Sequence, residues 1–353
     1  MVFLIEVLAI FFLLATSTHG SSTLPISPLP PIVPPKNNPI MPQKVELGKK
    51  LFFDRRLSGD GTTSCATCHD PERSFTDGQE ISLSYPTTRN LRNAPTLMNV
   101  GYAKYLFWDG RARSLEEQAV FPIMSPFEMN QNLDFVVEEV RIVPEYRDLT
   151  QRIFGRDVDI KTITYAIAAF ERTLVSKDAP IDLYLKGIKD ALSENARKGL
   201  DVFLNKGQCV KCHSGPYLSD QKFYALCVPE NPKYAHDPKF IMTRRYVAKI
   251  NGYKNFKDVK EDLGRYFVTK KNVDLKAFKT PTLREVAFTA PYMHNGVFKT
   301  LEEVIEFFNR GGGEGNRVLK PLNLTDEEKL NLKIFLVEAL SGKKEKMVYP
   351  EVP

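Results

Sequence analysis

Residues 64–71 read SCATCHDP and residues 208–216 read QCVKCHSGP, so the chain carries Cys-x-x-Cys-His twice, 144 positions apart. Two thiols and an imidazole within five residues must converge on one object, and the fold has to build that arrangement at two places. The sequence around the motifs repeats as well. PQKVELGKKLFF precedes the first and SENARKGLDVFLNKG the second, and both read as helices. Gly48 and Phe52 align with Gly199 and Phe203, with seven extra residues between Phe and Cys in the first copy. A length of 353 residues suits one large domain or two ordinary ones. The spacing predicts two helical units, joined near residues 178–193.

Further helix starts are marked by capping boxes at Ser114-x-x-Glu117, Thr300-x-x-Glu303 and Thr325-x-x-Glu328. DIKTITYAIAAFERTLVS reads as another buried helix, and no run of alternating strands stands out. The expected class is all-α. The boundaries are 43–185 for the N-terminal unit and 186–345 for the C-terminal one. Ahead of them, Val7–Ala15 forms the short apolar run of an export signal, with cleavage expected after Gly20. Its start carries Glu6 and no basic residue, so an uncleaved anchor is the alternative; cleavage would leave no stable membrane span. Residues 21–42 hold eight prolines and read as an extended tether that packs no core. The net charge of +6 comes without a basic cluster interleaved with aromatics, which argues against nucleic acid.

Three chemistries use paired cysteines. A disulfide oxidoreductase needs one pair on a βαβ scaffold that this sequence lacks. A zinc site brings its pairs closer together than 144 residues. Attachment of a c-type haem alone explains the histidine, because the thiols bond the haem edge and the adjacent imidazole reaches the iron. On this reading Cys65, Cys68, Cys209 and Cys212 hold two haems, with His69 and His213 as iron ligands. Zinc or disulfides remain the alternative. Attachment takes place outside the cytoplasm, in agreement with an exported, periplasmic protein. Cys227 is left over as a buried free thiol.

With two haems placed, the chain resembles the bacterial di-haem cytochrome c peroxidase / MauG family from about residue 43 to 342. The resemblance is carried by LSGDGTTSCATCHDPERSFTDG, RNAPTLMNVGYAKYLFWDGRARSLEEQAVFPIMSPFEM, CVKCHSGP, EDLGRYFVT and FKTPTLREVAFTAPYMHNGVFKTLEEVIEFFNRGGG. It implies two cytochrome-c-like helical domains, a peroxide-reacting N-terminal haem and an electron-transferring C-terminal haem. Trp108 matches the tryptophan between the haems. Gln118, Pro122 and Glu128 match residues over the open face of the first haem, Glu128 as the acid–base group. Asn93, with the backbone carbonyls of Thr289 and Pro291, matches a calcium site. The implied activity is reduction of hydrogen peroxide to water with electrons from a small redox protein, a cytochrome c or cupredoxin. A homodimer is left open. The alternatives are a MauG-like oxidase that modifies a partner protein and a non-catalytic di-haem electron carrier.

Two positions depart from the family. Tyr85 stands where the peroxidase branch has a histidine capping the first iron, which predicts an iron open at rest. Phe308 stands where a methionine or tyrosine ligates the second iron. That predicts an open or weakly ligated second haem, with Met293 and His294 the nearest donors among the family strings.

Overall fold

The computed structural model describes residues 24–83, 89–343 and 346–353. The signal segment 1–20 and Tyr85 lie outside the described residues. The first half contains α1 (Pro42–Phe53), α2 (Cys65–Cys68), α3 (Leu115–Met124), α4 (Leu133–Arg141), α5 (Pro144–Phe154) and α6 (Ile160–Glu171). The second contains α7 (Pro180–Leu185), α8 (Glu194–Leu204), α9 (Pro238–Ile250), α10 (Tyr266–Thr269), α11 (Leu301–Asn309) and α12 (Asp326–Glu338). The only sheet among the described residues pairs β1 (Phe223–Tyr224) antiparallel with β2 (Phe278–Lys279). The predicted caps form: Ser114, Thr300 and Thr325 each accept the backbone N–H three residues on.

The aligned glycines mark helix crossings. A Cβ on Gly48 would lie 1.8 Å from the Ala166 carbonyl oxygen of α6, and one on Gly199 would lie 2.0 Å from that of Asn331 in α12. Only a hydrogen fits at either position, so α1 lies directly on α6 and α8 on α12. The aligned phenylalanines fill the cores beneath. Phe52 meets Phe170 edge-on at 5.2 Å, and Phe203 meets Phe335 at 5.3 Å. Both phenylalanines are wholly buried, which contributes about 1.5–3 kcal/mol each.

Each half thus has its own apolar core. Leu174 belongs to the first, whereas Ala179 and Ile181 already belong to the second. The chain therefore changes core between Leu174 and Ala179, ahead of α7.

The proline-rich stretch is not a free tether from residue 24 onward. Ile26 is buried in the second core, and the Pro25 carbonyl accepts from the Gly215 N–H at 2.7 Å. The Tyr102 hydroxyl donates to the Pro30 carbonyl. Asn38, fully buried, donates to Glu116 at 2.6 Å and to the Tyr165 carbonyl at 3.0 Å. An extended chain makes no hydrogen bonds of its own, so its carbonyls remain available to the body along which it lies. The other terminus returns in the opposite sense: Met347 packs on the first core, and Tyr349 meets Phe53 at 5.4 Å. Among the described residues no helix is long and apolar enough to cross a membrane.

Candidate active site

Both motifs open onto one cavity of about 1410 Å³, more than the roughly 300–1,000 Å³ of a pocket for one small ligand. Ser64 caps α2 and is itself bound by Thr67, N–H to Oγ1 at 3.0 Å, which fixes Cys65 and Cys68 one turn apart. His69 follows at the helix end. The second motif is a single 3-10 turn, Cys209–Lys211, entered through Gln208 in the left-handed region. The two local folds differ, yet the histidines are held alike. His69 Nδ1 lies 3.0 Å from the Phe75 carbonyl oxygen and His213 Nδ1 lies 3.1 Å from that of Leu218. A carbonyl only accepts, so the proton sits on Nδ1 and Nε2 is left as the basic nitrogen. Burial lowers both imidazoles' pKa and keeps them neutral, the form that binds a metal.

No disulfide joins the four cysteines of the motifs. Burial pushes Cys68 and Cys209 up to about 12 and raises Cys65 and Cys212 as well. A disulfide-exchange nucleophile needs the thiolate, which these surroundings disfavour, and among the described residues no three His, Cys, Asp or Glu side chains gather as a zinc site requires. Neutral thiols beside a neutral imidazole on an apolar cavity suit covalent attachment of a flat, apolar group with an iron at its centre. The residues present fit a haem at each motif.

Gln118, Pro122 and Glu128 reach the same cavity from α3 and the turn after it. Pro122 lies inside α3 and has no N–H, so the Gln118 carbonyl loses its helical donor. The Pro122 carbonyl instead accepts from Met129 at 3.0 Å, folding the chain back so that Glu128 faces the cavity. Asn90 Nδ2 donates to Glu128 Oε1 at 2.8 Å. The charge of Glu128 reaches Cys68, where it adds to the effect of burial, and His69, where it opposes that effect.

Trp108 stands where the halves meet. Its indole N–H donates to the Asn93 carbonyl at 2.9 Å, and its own carbonyl accepts from Lys279 of β2 at 2.8 Å. Its ring is edge-on to His294 at 6.5 Å, and His294 stacks on Phe278 at 3.6 Å. Burial takes the His294 pKa down to about 4. Asn93, Thr289 and Pro291 line the same cavity; the Asn93 side chain also donates to the Gln79 carbonyl at 2.8 Å. Phe308 lines the cavity as well, from α11, and offers it only a hydrocarbon ring.

Sequence reasoning missed the charges under this junction. Arg92 donates to Asp262 through Nε at 2.6 Å and Nη2 at 3.0 Å, and to Asp109 through Nη1 at 2.6 Å. All three are at most 8% exposed. Their only sequence signal is that all three sit inside the family strings, Arg92 and Asp109 each beside a predicted site residue.

The di-haem cytochrome c peroxidase family profile matches residues 42–190. Over 346 residues the chain is 42% identical to the cytochrome-c peroxidase IdrP1 of Pseudomonas sp. (strain SCT), covering 96% of this chain and 91% of that one. It is 35% identical over 353 residues to the methylamine utilization protein MauG of Methylorubrum extorquens, covering 96% and 92%. Among solved structures, a MauG-like protein associated with microbial copper homeostasis superposes with a TM-score of 0.74 at 30% identity, covering 89% of this chain and 95% of that one. By its paired motifs, its shared cavity and these relatives, the chain belongs to the di-haem cytochrome c peroxidase family.

Proposed function

We propose that this protein is an exported peroxidase that reduces hydrogen peroxide to water at the His69 side of the cavity, with electrons from a small redox protein entering at the His213 side. The observation that carries this reading is the matched pair of histidines, each with Nδ1 on a backbone carbonyl, facing one cavity that also holds a hydrogen-bonded carboxylate. Two covalently held haems, one per motif, would supply the iron redox chemistry. Cleavage of the O–O bond takes up two electrons and two protons and yields two waters. Glu128 would carry a proton from the inner to the outer peroxide oxygen, on the Oε2 that Asn90 leaves free. The Gln118 amide would orient the peroxide by hydrogen bonding. Trp108, bonded to both halves, would relay electrons across the junction. Asn93, with the Thr289 and Pro291 carbonyls, would hold a calcium ion, a hard cation suited to oxygen ligands. With reduced cytochrome c as donor, the holoprotein should turn over peroxide without prior activation. Loss of peroxide with no oxidation of any small redox protein would sink this reading and leave a protein-modifying oxidase.

Phe308 bears on the second centre. A phenyl ring cannot ligate iron, so the His213 side should be open or weakly ligated. Phe308→Tyr should add a phenolate there, giving a histidine–tyrosinate absorption spectrum and a lower potential for that haem. If the wild type already shows two low-spin centres, another side chain occupies the position.

A further inference from the structure

Glu171, the last residue of α6, is 4% exposed and lines the cavity beside the first motif, one turn after Ile167 on the same wall. Its Oε2 is fully enclosed and has no hydrogen-bond partner. A buried carboxylate without a donor or a cation is costly, by several kcal/mol in the absence of relaxation. The nearby cations are committed elsewhere. Arg172 makes a two-pronged bond to Glu116, Nη1 to Oε1 at 2.7 Å and Nη2 to Oε2 at 2.9 Å. Lys44 of α1 donates to Asn38 Oδ1 at 2.9 Å and to the Pro39 carbonyl at 3.0 Å. From α2 the group that faces Glu171 is Cys65, whose thiol feels the carboxylate's charge. Glu116 on α3 adds a like charge.

We propose that Glu171 is a redox-linked proton site of the N-terminal haem, holding its proton while that centre is reduced and releasing it when the centre is oxidised. The proposal rests on the di-haem reading above. On oxidation one electron leaves for the external redox partner and one proton leaves the Glu171 carboxyl for water at the cavity mouth. With a haem held at the first motif, the positive charge gained on its oxidation would be offset by the carboxylate formed. On reduction both return. Glu171 touches no substrate; it is a positioning residue that acts through charge. Burial, opposed by the charge of Arg172 and aided by that of Glu116, takes its pKa up to about 8, so at neutral pH it is a proton-bearing acid.

The test is a spectroelectrochemical titration of the holoprotein at several pH values, after intact mass has established the haem count. In the wild type, the N-terminal potential should fall as pH rises towards 8 and flatten above it. At a fixed electrode potential this is a change of up to about tenfold per pH unit in the ratio of oxidised to reduced centre. Glu171→Gln should abolish the dependence and leave the C-terminal titration unmoved. Should that variant fail to fold, oxidised-minus-reduced infrared difference spectra of the wild type decide the matter. A carboxylic-acid carbonyl band, shifted in D₂O, should disappear on oxidation. Retention of the pH dependence in Glu171→Gln, or absence of that band, overturns the proposal while the two haems stand. A mass short of two haems overturns the di-haem reading and this proposal together.

Discussion

Glu128→Gln should slow the peroxide-cleavage step by about 10²–10⁴-fold, the usual effect of removing a general acid–base group. The substitution keeps the shape of the side chain and leaves an amide oxygen able to accept from Asn90, which now donates to Glu128 Oε1 at 2.8 Å. The backbone bonds that turn the chain here, Glu128 to the Ser125 carbonyl and Met129 to that of Pro122, both at 3.0 Å, do not involve the side chain. What the glutamine loses is a basic oxygen that can take a proton and return it. Stopped-flow mixing with peroxide reads this step directly, and intact mass shows whether both haems are in place. A variant with wild-type cleavage rate would reduce Glu128 to a residue that only holds Asn90.

The largest effect on stability should come from Arg92→Met. Methionine fills much of the same space, but Asp109 and Asp262 are then left buried without their shared guanidinium. Breaking a buried pair in this way costs about 3–5 kcal/mol, to be read as a lower urea midpoint. The pH dependence has a definite sign. In the wild type Asp109 is held down to about 2 by Arg92, followed by Arg111, against the opposing effect of burial. Asp262 is also lowered, chiefly by Arg92. Depressed carboxyl pKa values contribute stability above the unfolded carboxyl range, and that contribution is lost as pH falls through the folded values. In Arg92→Met burial acts on the two carboxyls with much less opposition, so their pKa values rise. The deficit against wild type should then be greatest near neutral pH and shrink on acidification. An equal deficit at neutral and acidic pH would mean that packing, rather than charge, makes Arg92 necessary.

The helices and their crossings were legible because the signals are local. Gly48 and Phe52 announce themselves by repeating as Gly199 and Phe203, and the caps of α3, α11 and α12 lie within four residues of sequence. The histidines were legible as ligands, but their orientation was not. The carbonyls of Phe75 and Leu218 that fix them come from irregular loops with no pattern to read. Arg92 and Asp262 are 170 residues apart, and no periodicity links a cation to an anion at that distance. Glu171 sat inside a segment read as a buried helix, and apolar periodicity says nothing about the one acid that shares the buried face. The proline-rich stretch was misjudged for a related reason. Composition shows that such a backbone cannot satisfy its own carbonyls, but not that Tyr102 and Gly215 will do so.

The crossed termini have a consequence for cooperativity. The beginning of the described chain supplies Ile26 to the second core, and its end lays Met347 and Tyr349 against the first. Each half is thus completed by a segment that lies beyond the other half in sequence. A fragment cut between Leu174 and Ala179 would leave both pieces incomplete: the C-terminal piece would lack the side chain that fills its core near Gly215, and the N-terminal piece would expose Phe53. Neither half can loosen from its neighbour without also giving up part of its own interior. The exchanged chain ends tie the two halves together, in addition to the contacts at the junction itself.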